Sequence, residues 1–355
     1  MKIDQQHYRT IWPSGQHHYV EFINQSVLPF RFEVVRATEL QEIVFAIKTM
    51  QVRGAPLIGV VAAYGIALAM HADASDLHLN MASQGLLASR PTAVNLAWAV
   101  KRMLQVLLPL APEARIARAW QEAANIADED VLQNQAIGQH GLAMIKSLNT
   151  SKRINILTHC NAGWLATVDH GTALAPIYAA HDAGLDVHVW VDETRPRNQG
   201  ASLTAWELAH HGVPHTVISD NAGGHLMQRG QVDMVLVGAD RVTATGDVCN
   251  KIGTYLKALA AYDNQIPFYA AVPSPTIDWQ LNDGLAQIDI EERHANEVAY
   301  VQGLTRAGEL TDVRVIPEVS AAANPAFDVT PARLVTGIIT ERGVYHPQQL
   351  GTLQP

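Results

Sequence analysis

Cysteine is scarce in this chain of 355 residues, which contains two, Cys160 and Cys249. Two isolated cysteines cannot form a disulfide framework, so a reducing, cytoplasmic setting is predicted. A structural zinc site is excluded for the same reason, and no metal site is predicted.

Positive charge is also in deficit. The chain has 25 Lys and Arg residues against 34 Asp and Glu residues, which gives a formal net charge of -9. A nucleic-acid binder needs a basic face for the phosphate backbone, so no nucleic-acid partner is predicted. A small anionic substrate held by a few local cations remains compatible with this balance.

Long apolar runs are absent as well. The longest uncharged run, residues 54–70, is short for a membrane span and contains a proline and several glycines. It predicts a buried helix and no membrane contact, and the first seven residues lack the apolar core of a signal peptide. No glycine-rich dinucleotide fingerprint and no phosphate-binding loop of the Walker type occurs, which excludes those two nucleotide-binding classes.

The composition that remains is ordinary for a globular protein, with 48% hydrophobic and 17% charged residues. The length predicts two domains, with a boundary at Asn149-Thr150-Ser151. Residues 1–150 are expected to form a smaller α+β domain of short strands and helices. From residue 151 to 355, short apolar strands alternate with helical stretches, which predicts a Rossmann-like α/β domain with a parallel sheet. The strands are expected at residues 154–157, 187–191, 216–218, 234–237 and 268–272.

The N-terminal half offers two candidate anion contacts at helix starts. A helix is predicted to end before Arg53, and the next begins with Pro56 in its first turn. Gly54 and Ala55 allow a ligand to approach the free N–H groups at that helix terminus. Arg90 lies just ahead of a later helix. A tight turn between core helices and a solvated arginine are the alternative interpretations.

Two predicted parallel strands end in residues suited to catalysis. Cys160 follows the strand at 154–157 and is expected at the mouth of a site, with turn N–H groups and nearby cations lowering its thiol pKa. The alternative is an inert buried cysteine. Asp240 follows the strand at 234–237, where apolar surroundings raise a carboxyl pKa and suit a general acid. A helix cap or a partner of Arg241 are the alternatives.

Other stretches are interpreted as loops. Residues 192–200 form a charged loop after an apolar strand, and residues 246–254 form a polar loop in which Asn250 and Lys251 are candidate anion contacts. A solvated lysine is the alternative for Lys251. Residues 73–89 are expected to be a mixed loop and short helix, and the tail from residue 347 onward is expected to be loose.

Several segments together resemble the methylthioribose-1-phosphate isomerases, and the resemblance runs from about residue 10 to residue 344. The segments are VRGAPLIG (52–59), SRPTAVNL (89–96), THCNAG (158–163), DETRP (192–196), GADR (238–241), NKIGT (250–254) and NPAFDVTP (324–331).

The resemblance implies conversion of 5-methylthioribose 1-phosphate to 5-methylthioribulose 1-phosphate in methionine salvage, without a cofactor and by a homodimer. It implies a catalytic pair, Cys160 and Asp240. The substrate contacts that it implies are Arg53, Gly54, Ala55, Arg90, Gln199, Asn250 and Lys251. Two alternatives stay open: ribose 1,5-bisphosphate isomerase, and a non-catalytic regulatory subunit of the translation-initiation exchange factor.

Overall fold

A computed structural model describes the chain over residues 1–3, 6–15, 19–148 and 152–354. The N-terminal elements are β1 (Lys2–Ile3), β2 (Gln6–His7), β3 (Ile11–Pro13), β4 (Val20–Ile23), β5 (Val34–Ala37), α1 (Leu40–Lys48), α2 (Ala55–Ala72), α3 (Asp76–Leu87), α4 (Val94–Leu107) and α5 (Pro112–Ser147). Strands β3, β4 and β5 form an antiparallel sheet. The domain boundary expected at residues 149–151 lies outside the described residues. A strand is also expected over residues 18–22, and its first residue, His18, lies outside them as well.

The helix α2 is the centre of the N-terminal core. Of the described helices, it alone is long and apolar enough to match a membrane span by length and composition, and 89% of it is buried inside the fold. A helix that is apolar on every side must be surrounded by protein or lipid, and here α1, α3, α4 and α5 pack around it. The buried helix predicted over residues 54–70 is therefore confirmed.

The 36-residue helix α5 belongs to two cores. Ala119 and Ile126 pack in the core around α2, whereas Ile137 and Ile145 pack with the strands that follow. Gly138 and Gly141 allow the helix to approach the next helix along the chain closely. The long helix thus joins the N-terminal part of the molecule to the sheet that follows.

The remaining strands are β6 (Ile154–Thr158), β7 (Val187–Asp192), β8 (His215–Ile218), β9 (Met234–Val237), β10 (Arg241–Thr243), β11 (Val248–Lys251), β12 (Phe268–Ala271), β13 (Ile277–Asp278), β14 (Tyr300–Leu304), β15 (Leu310–Arg314), β16 (Phe327–Thr330), β17 (Gly337–Thr340) and β18 (Gly343–Tyr345). The helices are α6 (Leu174–Asp182), α7 (Ala205–His211), α8 (Ala222–Gln228), α9 (Thr254–Asp263), α10 (Gly284–Gln287) and α11 (Asn296–Ala299). A π-helical turn, Gly200–Thr204, leads into α7.

The main sheet has seven strands in the order β18-β17-β12-β9-β6-β7-β8. All neighbouring strands are parallel except β17 and β18. The prediction of a mixed α/β chain with a largely parallel sheet is confirmed. The chain runs outward from β6 to β7 and β8, and then returns to β9 on the other side of β6. Ligands bind where the strand order reverses in this way, outside the carboxyl ends of the strands.

A second sheet was not predicted from the sequence. It has four strands in the order β13-β10-β11-β16, and it contains residues that had been interpreted as a polar loop. Asn250 and Lys251 lie on β11, paired antiparallel with β16. Strands β14 and β15 form a separate hairpin.

Residues 73–89 are a loop followed by a helix, as expected. The helix is the 12-residue α3, whose N-cap Ser75 accepts a hydrogen bond from the backbone N–H of His78. The expectation of a loose tail was wrong, because Pro347–Leu353 forms a 3-10 helix in which Leu350 and Leu353 are buried. Apolar anchoring at these two positions outweighs the entropy of a loose end.

Candidate active site

One pocket collects all the residues that the sequence analysis singled out. It lies between the carboxyl ends of β6 and β9 on one side and the amino terminus of α2 on the other. The nine predicted residues line it together: Arg53, Gly54, Ala55, Arg90, Cys160, Gln199, Asp240, Asn250 and Lys251. They come from six separate stretches of the chain, so the topology of the sheet brings them together.

Cys160 occupies a turn that is held on both sides. Its φ of 66° lies in the left-handed region, which non-glycine residues rarely adopt. Its backbone N–H donates to Thr194 Oγ1 at 2.8 Å, and its carbonyl accepts from Thr204 Oγ1 at 2.7 Å. The thiol lies 3.6 Å from Gln199 Oε1. These contacts hold Cys160 at the wall of the pocket and not within a hydrophobic core.

The pKa of Cys160 differs from the expectation. Burial raises the pKa of the thiol, and this effect outweighs the positive charges of Arg53 and Lys251, which lower it. The expectation of a lowered thiol pKa was therefore wrong in direction. Desolvation of the thiolate is the physical reason, and Asp240 adds a further unfavourable negative charge.

Asp240 follows β9 directly and faces the same pocket. Its backbone N–H donates to the carbonyl of Cys249 at 2.9 Å, which ties it to β11. Burial raises the pKa of its carboxyl group, against the lowering effect of Lys251, Arg90 and Arg53. The expected direction is confirmed. Because a strand and not a helix follows Asp240, the helix-cap interpretation is wrong.

Arg241 is engaged elsewhere, which removes the other alternative for Asp240. Its guanidinium lies 3.5 Å from Asp278 and donates to the carbonyl of Thr92.

Arg53 is buried beside the Cys160 turn. Its guanidinium donates to the side-chain oxygen of Asn161 and, at 2.6 Å, to the carbonyl of the same residue. Gly54 follows with a φ of 97°, and α2 begins at Ala55 with Pro56 in its first turn, as predicted. A Cβ atom on Gly54 would lie 2.6 Å from the backbone of Ala166. Glycine is therefore required for α2 to point its amino terminus into the pocket.

Arg90 lies ahead of α4 and is not a solvated arginine. Its guanidinium pairs with Glu291 at 3.1 Å, and 11% of its side chain is exposed. Glu291 also pairs with Arg293, and Arg293 pairs in turn with Glu297. Arg90 is thus tied into a chain of ion pairs that runs through Glu291 and Arg293 to Glu297.

Lys251 is buried with its ammonium 4.6 Å from the centre of the Phe327 ring. Burial lowers the pKa of Lys251, while the nearby Cys160 and Asp240 raise it. The neighbouring Asn250 donates from its amide to Thr254 Oγ1 at 3.0 Å. Lys251 is therefore not the solvated lysine considered as an alternative.

A buried carboxylate behind the pocket, that of Glu207, was not predicted from the sequence. It accepts hydrogen bonds from the Asn161 amide at 2.8 Å and from the backbone N–H groups of Trp164 and Leu165 at 2.6 and 3.0 Å. Burial raises its pKa and these hydrogen bonds lower it. Glu207 lies on α7, far from the turn in sequence, and no pattern in the sequence points to it.

Among the described residues, His159, Asp192 and Asp220 place possible metal-ligand atoms within 4.8 Å of one another. The ammonium of Lys257 lies 3.1 Å from the Asp192 carboxylate and donates to the Asp220 carbonyl. A protein cation therefore already lies against the Asp192 carboxylate of this cluster.

Comparison with known proteins identifies a matching family and relatives that share one name. The initiation factor 2 subunit family matches residues 51–347. Methylthioribose-1-phosphate isomerase of Rhodospirillum rubrum is 63% identical over 95% of this chain and 88% of its own length. The protein of the same name from Methylorubrum extorquens is 64% identical over 97% of this chain and 95% of its own.

Solved structures agree with these relatives. The 5-methylthioribose 1-phosphate isomerase of Pyrococcus horikoshii is similar with a TM-score of 0.83 and 40% identity, over 98% of this chain and 97% of that one. A chain from A. fulgidus described as translation initiation factor eIF-2B, subunit delta, has a TM-score of 0.79 and 38% identity, over 97% of both chains. The chain therefore belongs to the initiation factor 2 subunit family and, within it, to the methylthioribose-1-phosphate isomerases.

Proposed function

We propose that this chain is an aldose–ketose isomerase that converts 5-methylthioribose 1-phosphate to 5-methylthioribulose 1-phosphate in methionine salvage. The observation that carries the proposal is the meeting of Cys160 and Asp240 at the switch point of the sheet, beside buried or half-buried cations. Desolvation raises the pKa of both Cys160 and Asp240, and perturbed pKa values in one pocket are typical of catalytic sites. The named relatives support the same reaction.

The substrate sets the chemistry. Its C1 oxygen carries the phosphate, so the ring cannot open to a free aldehyde as in an ordinary aldose. Opening of the ring requires a proton on the ring oxygen. Formation of the ketone then requires that the hydrogen leave C2. Asp240 is the proton donor in this proposal, because its raised pKa keeps a larger fraction of the carboxyl protonated.

Cys160 acts at C2 by one of two routes. In one route a thiolate removes the C2 hydrogen as a proton, and the thiol so formed returns a proton to C1. In the other route a neutral thiol leaves that hydrogen to move as a hydride from C2 to C1. In both routes the C2 hydroxyl group loses its proton as the ketone forms, and the Asp240 carboxylate left after ring opening accepts it. The raised pKa of the thiol supports the second route, because the neutral form then predominates near neutral pH. Neither route needs a metal or an organic cofactor, since the hydrogen moves within one molecule.

The phosphate binds at the amino terminus of α2. Arg53, Arg90 and Lys251 supply positive charge, and Gly54 and Ala55 line the pocket at the helix amino terminus, where N–H groups without an intrahelical partner can bind an anion. Gln199 and Asn250 contact the sugar. A phosphate would interact favourably with all three cations and with the helix amino terminus, whereas a neutral ligand would not.

Two rivals predict different results in one assay. A regulatory subunit of the exchange-factor type does not turn over substrate, and the A. fulgidus neighbour carries such a description. A ribose 1,5-bisphosphate isomerase acts on a substrate with a second phosphate. Purified protein should convert 5-methylthioribose 1-phosphate and leave ribose 1,5-bisphosphate unchanged. No conversion of either sugar phosphate would favour the regulatory subunit.

The finer features of the molecule are part of the same proposal. We infer a Rossmann-like domain from residue 151 onward, a smaller N-terminal domain up to residue 150, and a cytoplasmic location. We also infer a homodimer, as the resemblance to the methylthioribose-1-phosphate isomerases implies. Sedimentation of a monomer would contradict the dimer alone.

A further inference from the structure

His159 lies between the Cys160 turn and β11 with its imidazole fully enclosed. Its Nδ1 atom is 2.8 Å from Asp192 Oδ2, and its Nε2 atom is 2.8 Å from the carbonyl oxygen of Ile252. Neither the imidazole nor the Asp192 carboxylate has any exposed surface. The side chain of His159, the residue before Cys160, therefore contacts the backbone of Ile252, the residue after Lys251.

Both ring nitrogens face atoms that only accept hydrogen bonds. A backbone carbonyl has no proton to donate, so Nε2 must carry one. The Asp192 oxygen that faces Nδ1 also lies 3.1 Å from the ammonium of Lys257, toward which it can only accept a hydrogen bond. An unprotonated Nδ1 would place its lone pair against this accepting oxygen at 2.8 Å. The geometry therefore favours a proton on Nδ1 as well.

The charges around the imidazole come from four elements. Asp192 ends β7, Lys257 lies on α9, Asp328 lies on β16 and Asp220 follows β8. Asp328 accepts hydrogen bonds from the backbone N–H groups of Gly253 and Tyr255, so it faces the same loop. The cluster contains three carboxylates and one ammonium, so a second positive charge on the imidazole would bring its total charge closer to zero.

We propose that His159 is a positioning residue, held as a doubly protonated imidazolium, that sets the spacing between Cys160 and Lys251. The proposal rests on the function proposed above, because it concerns how that active site is aligned. His159 follows β6 of the parallel sheet, whereas Ile252 follows β11 of the antiparallel sheet. The imidazolium is a direct bridge between these two sheets at the pocket.

Close packing limits what can replace this bridge. A Cβ atom on Gly253 would lie 3.0 Å from His159 Cε1, so the ring lies directly against the backbone of the β11–α9 turn. A shorter side chain at position 159 leaves that turn unsupported. Lys251 and Cys160 would then shift relative to each other, and misplacement of catalytic groups by about 1 Å can cost about 10²-fold in rate.

Two isosteric variants separate the two hydrogen bonds. In His159→Asn the amide nitrogen takes the place of Nδ1 and keeps the bond to Asp192, but the bond to Ile252 is lost. In His159→Gln the amide nitrogen takes the place of Nε2 and keeps the bond to Ile252. We expect kcat/KM for 5-methylthioribose 1-phosphate to fall about 10²-fold in the first variant and about tenfold or less in the second.

The control is His188→Gln, on β7 but outside the pocket, where the ring contacts Thr216 Oγ1. It should retain wild-type kcat/KM. Unfolding midpoints measured for all three variants separate alignment from stability. Equal activity in the Asn and Gln variants, or activity that follows the unfolding midpoint alone, would overturn the positioning role.

The charge state has its own test, independent of turnover. Nitrogen-15 spectra of histidine-labelled protein at neutral pH should show protons on both ring nitrogens of His159, assigned by their loss in His159→Gln. A neutral ring with one proton would overturn the imidazolium. If wild-type protein did not isomerise the substrate, the proposed function would fail while this measurement still decided the charge of His159.

Discussion

Arg90 is a cation whose partner in this structure is a carboxylate, Glu291, at 3.1 Å. A phosphate carries about -1.5 to -2 charges at neutral pH and competes with that carboxylate for the guanidinium. The proposed binding of the substrate phosphate at Arg90 and the ion pair with Glu291 therefore oppose each other. The Glu291 carboxylate has a second partner in Arg293, so it does not become unpaired when Arg90 leaves it.

Opposite effects are expected from changing the two members of this pair. Arg90→Ala should raise KM about 10- to 100-fold with little change in kcat, since hydrogen bonds to charged groups contribute about 1.5–3 kcal/mol. Glu291→Gln should strengthen inhibition by inorganic phosphate up to about fivefold, in line with about 0.2–1 kcal/mol for an accessible ion pair.

Inhibition constants for inorganic phosphate measure both effects, because phosphate binding involves no chemistry. Glu309→Gln is the matched control, with the same change of charge at an exposed position beside the β14–β15 hairpin. Unchanged phosphate affinity in Arg90→Ala would remove Arg90 from the anion site.

The role of Cys160 is decided by where the migrating hydrogen comes from. Because burial raises the pKa of the thiol, we expect a hydride shift and no solvent deuterium at C1 when the reaction runs in D₂O. The product is analysed by proton NMR or mass spectrometry. Deuterium at C1 would instead show that a thiolate removes the C2 hydrogen as a proton.

At the scale of residues, the sequence is most informative where a residue type suited to catalysis directly follows a predicted strand. Cys160 and Asp240 each follow a short apolar strand, so their placement at the sheet edge can be inferred from the pattern alone. Glu207, His159 and Glu291 cannot be found in this way. Their partners lie 33 to 201 residues away in sequence, and only the folded chain brings them together.

At the scale of elements, the amino terminus of α2 is the part of the site most sensitive to backbone shape. Gly54 has a φ of 97° and has no space for a side chain, because a Cβ atom would lie 2.6 Å from Ala166. Any side chain there must move α2 away from the turn that carries Ala166. The phosphate site and the Cys160 turn would separate as a result.

Gly54→Ala should therefore lose activity and also stability. Overpacking and a strained φ each cost about 1–3 kcal/mol, so the free energy of unfolding should fall by at least that amount. Gly85→Ala is the control, since Gly85 lies within α3 and a Cβ atom there meets no other atom within 4 Å. It should be neutral or stabilising by up to about 1 kcal/mol. Urea unfolding and KM measurements on both variants test this, and a wild-type KM in Gly54→Ala would contradict the role of the helix terminus.

Strands and helices that are marked by a clear pattern of apolar residues could be predicted well from the sequence. The apolar run at 234–237 is the strand β9, and the helix spacing around Ile43 and Ile47 gives α1. The antiparallel sheet could not be predicted, because β10 pairs with β13 and β11 pairs with β16, each across a long stretch of sequence. Its strands are short, and polar residues such as Asn250 conceal the alternation that marks a half-buried strand.

At the scale of the whole molecule, α5 ties the two cores into one structure. Gly141 lies against α6, where a Cβ atom would be 2.3 Å from Pro176 Cγ. Gly141→Ala should lower the free energy of unfolding by about 1–3 kcal/mol through overpacking. Because α5 contributes to both cores, we expect one thermal transition at a lower midpoint, monitored by calorimetry and tryptophan fluorescence together.

The control for this prediction is Gly224→Ala in α8, where the nearest atom to a Cβ lies 3.7 Å away, an ordinary contact. Its midpoint should stay close to that of the wild type. Two separated transitions in Gly141→Ala would mean that the N-terminal core and the sheet unfold independently.

The switch point of the main sheet accounts for the position of the site in the molecule. Cys160 and Asp240 are 80 positions apart in the sequence numbering, yet β6 and β9 are neighbours in the sheet. The pattern of strands predicted a parallel sheet but not its order. The order of the strands is what brings the thiol and the carboxyl group to one pocket, and this could be determined only from the fold.

The role of Asp240 as the acid is tested by the turnover of Asp240→Asn with 5-methylthioribose 1-phosphate. Asparagine keeps the shape of the side chain but cannot supply an acidic proton to the ring oxygen. We expect kcat to fall about 10²- to 10⁴-fold, the usual contribution of general acid–base catalysis, with KM little changed. Turnover close to that of the wild type would contradict the assignment of Asp240 as the acid and, with it, the proposed mechanism.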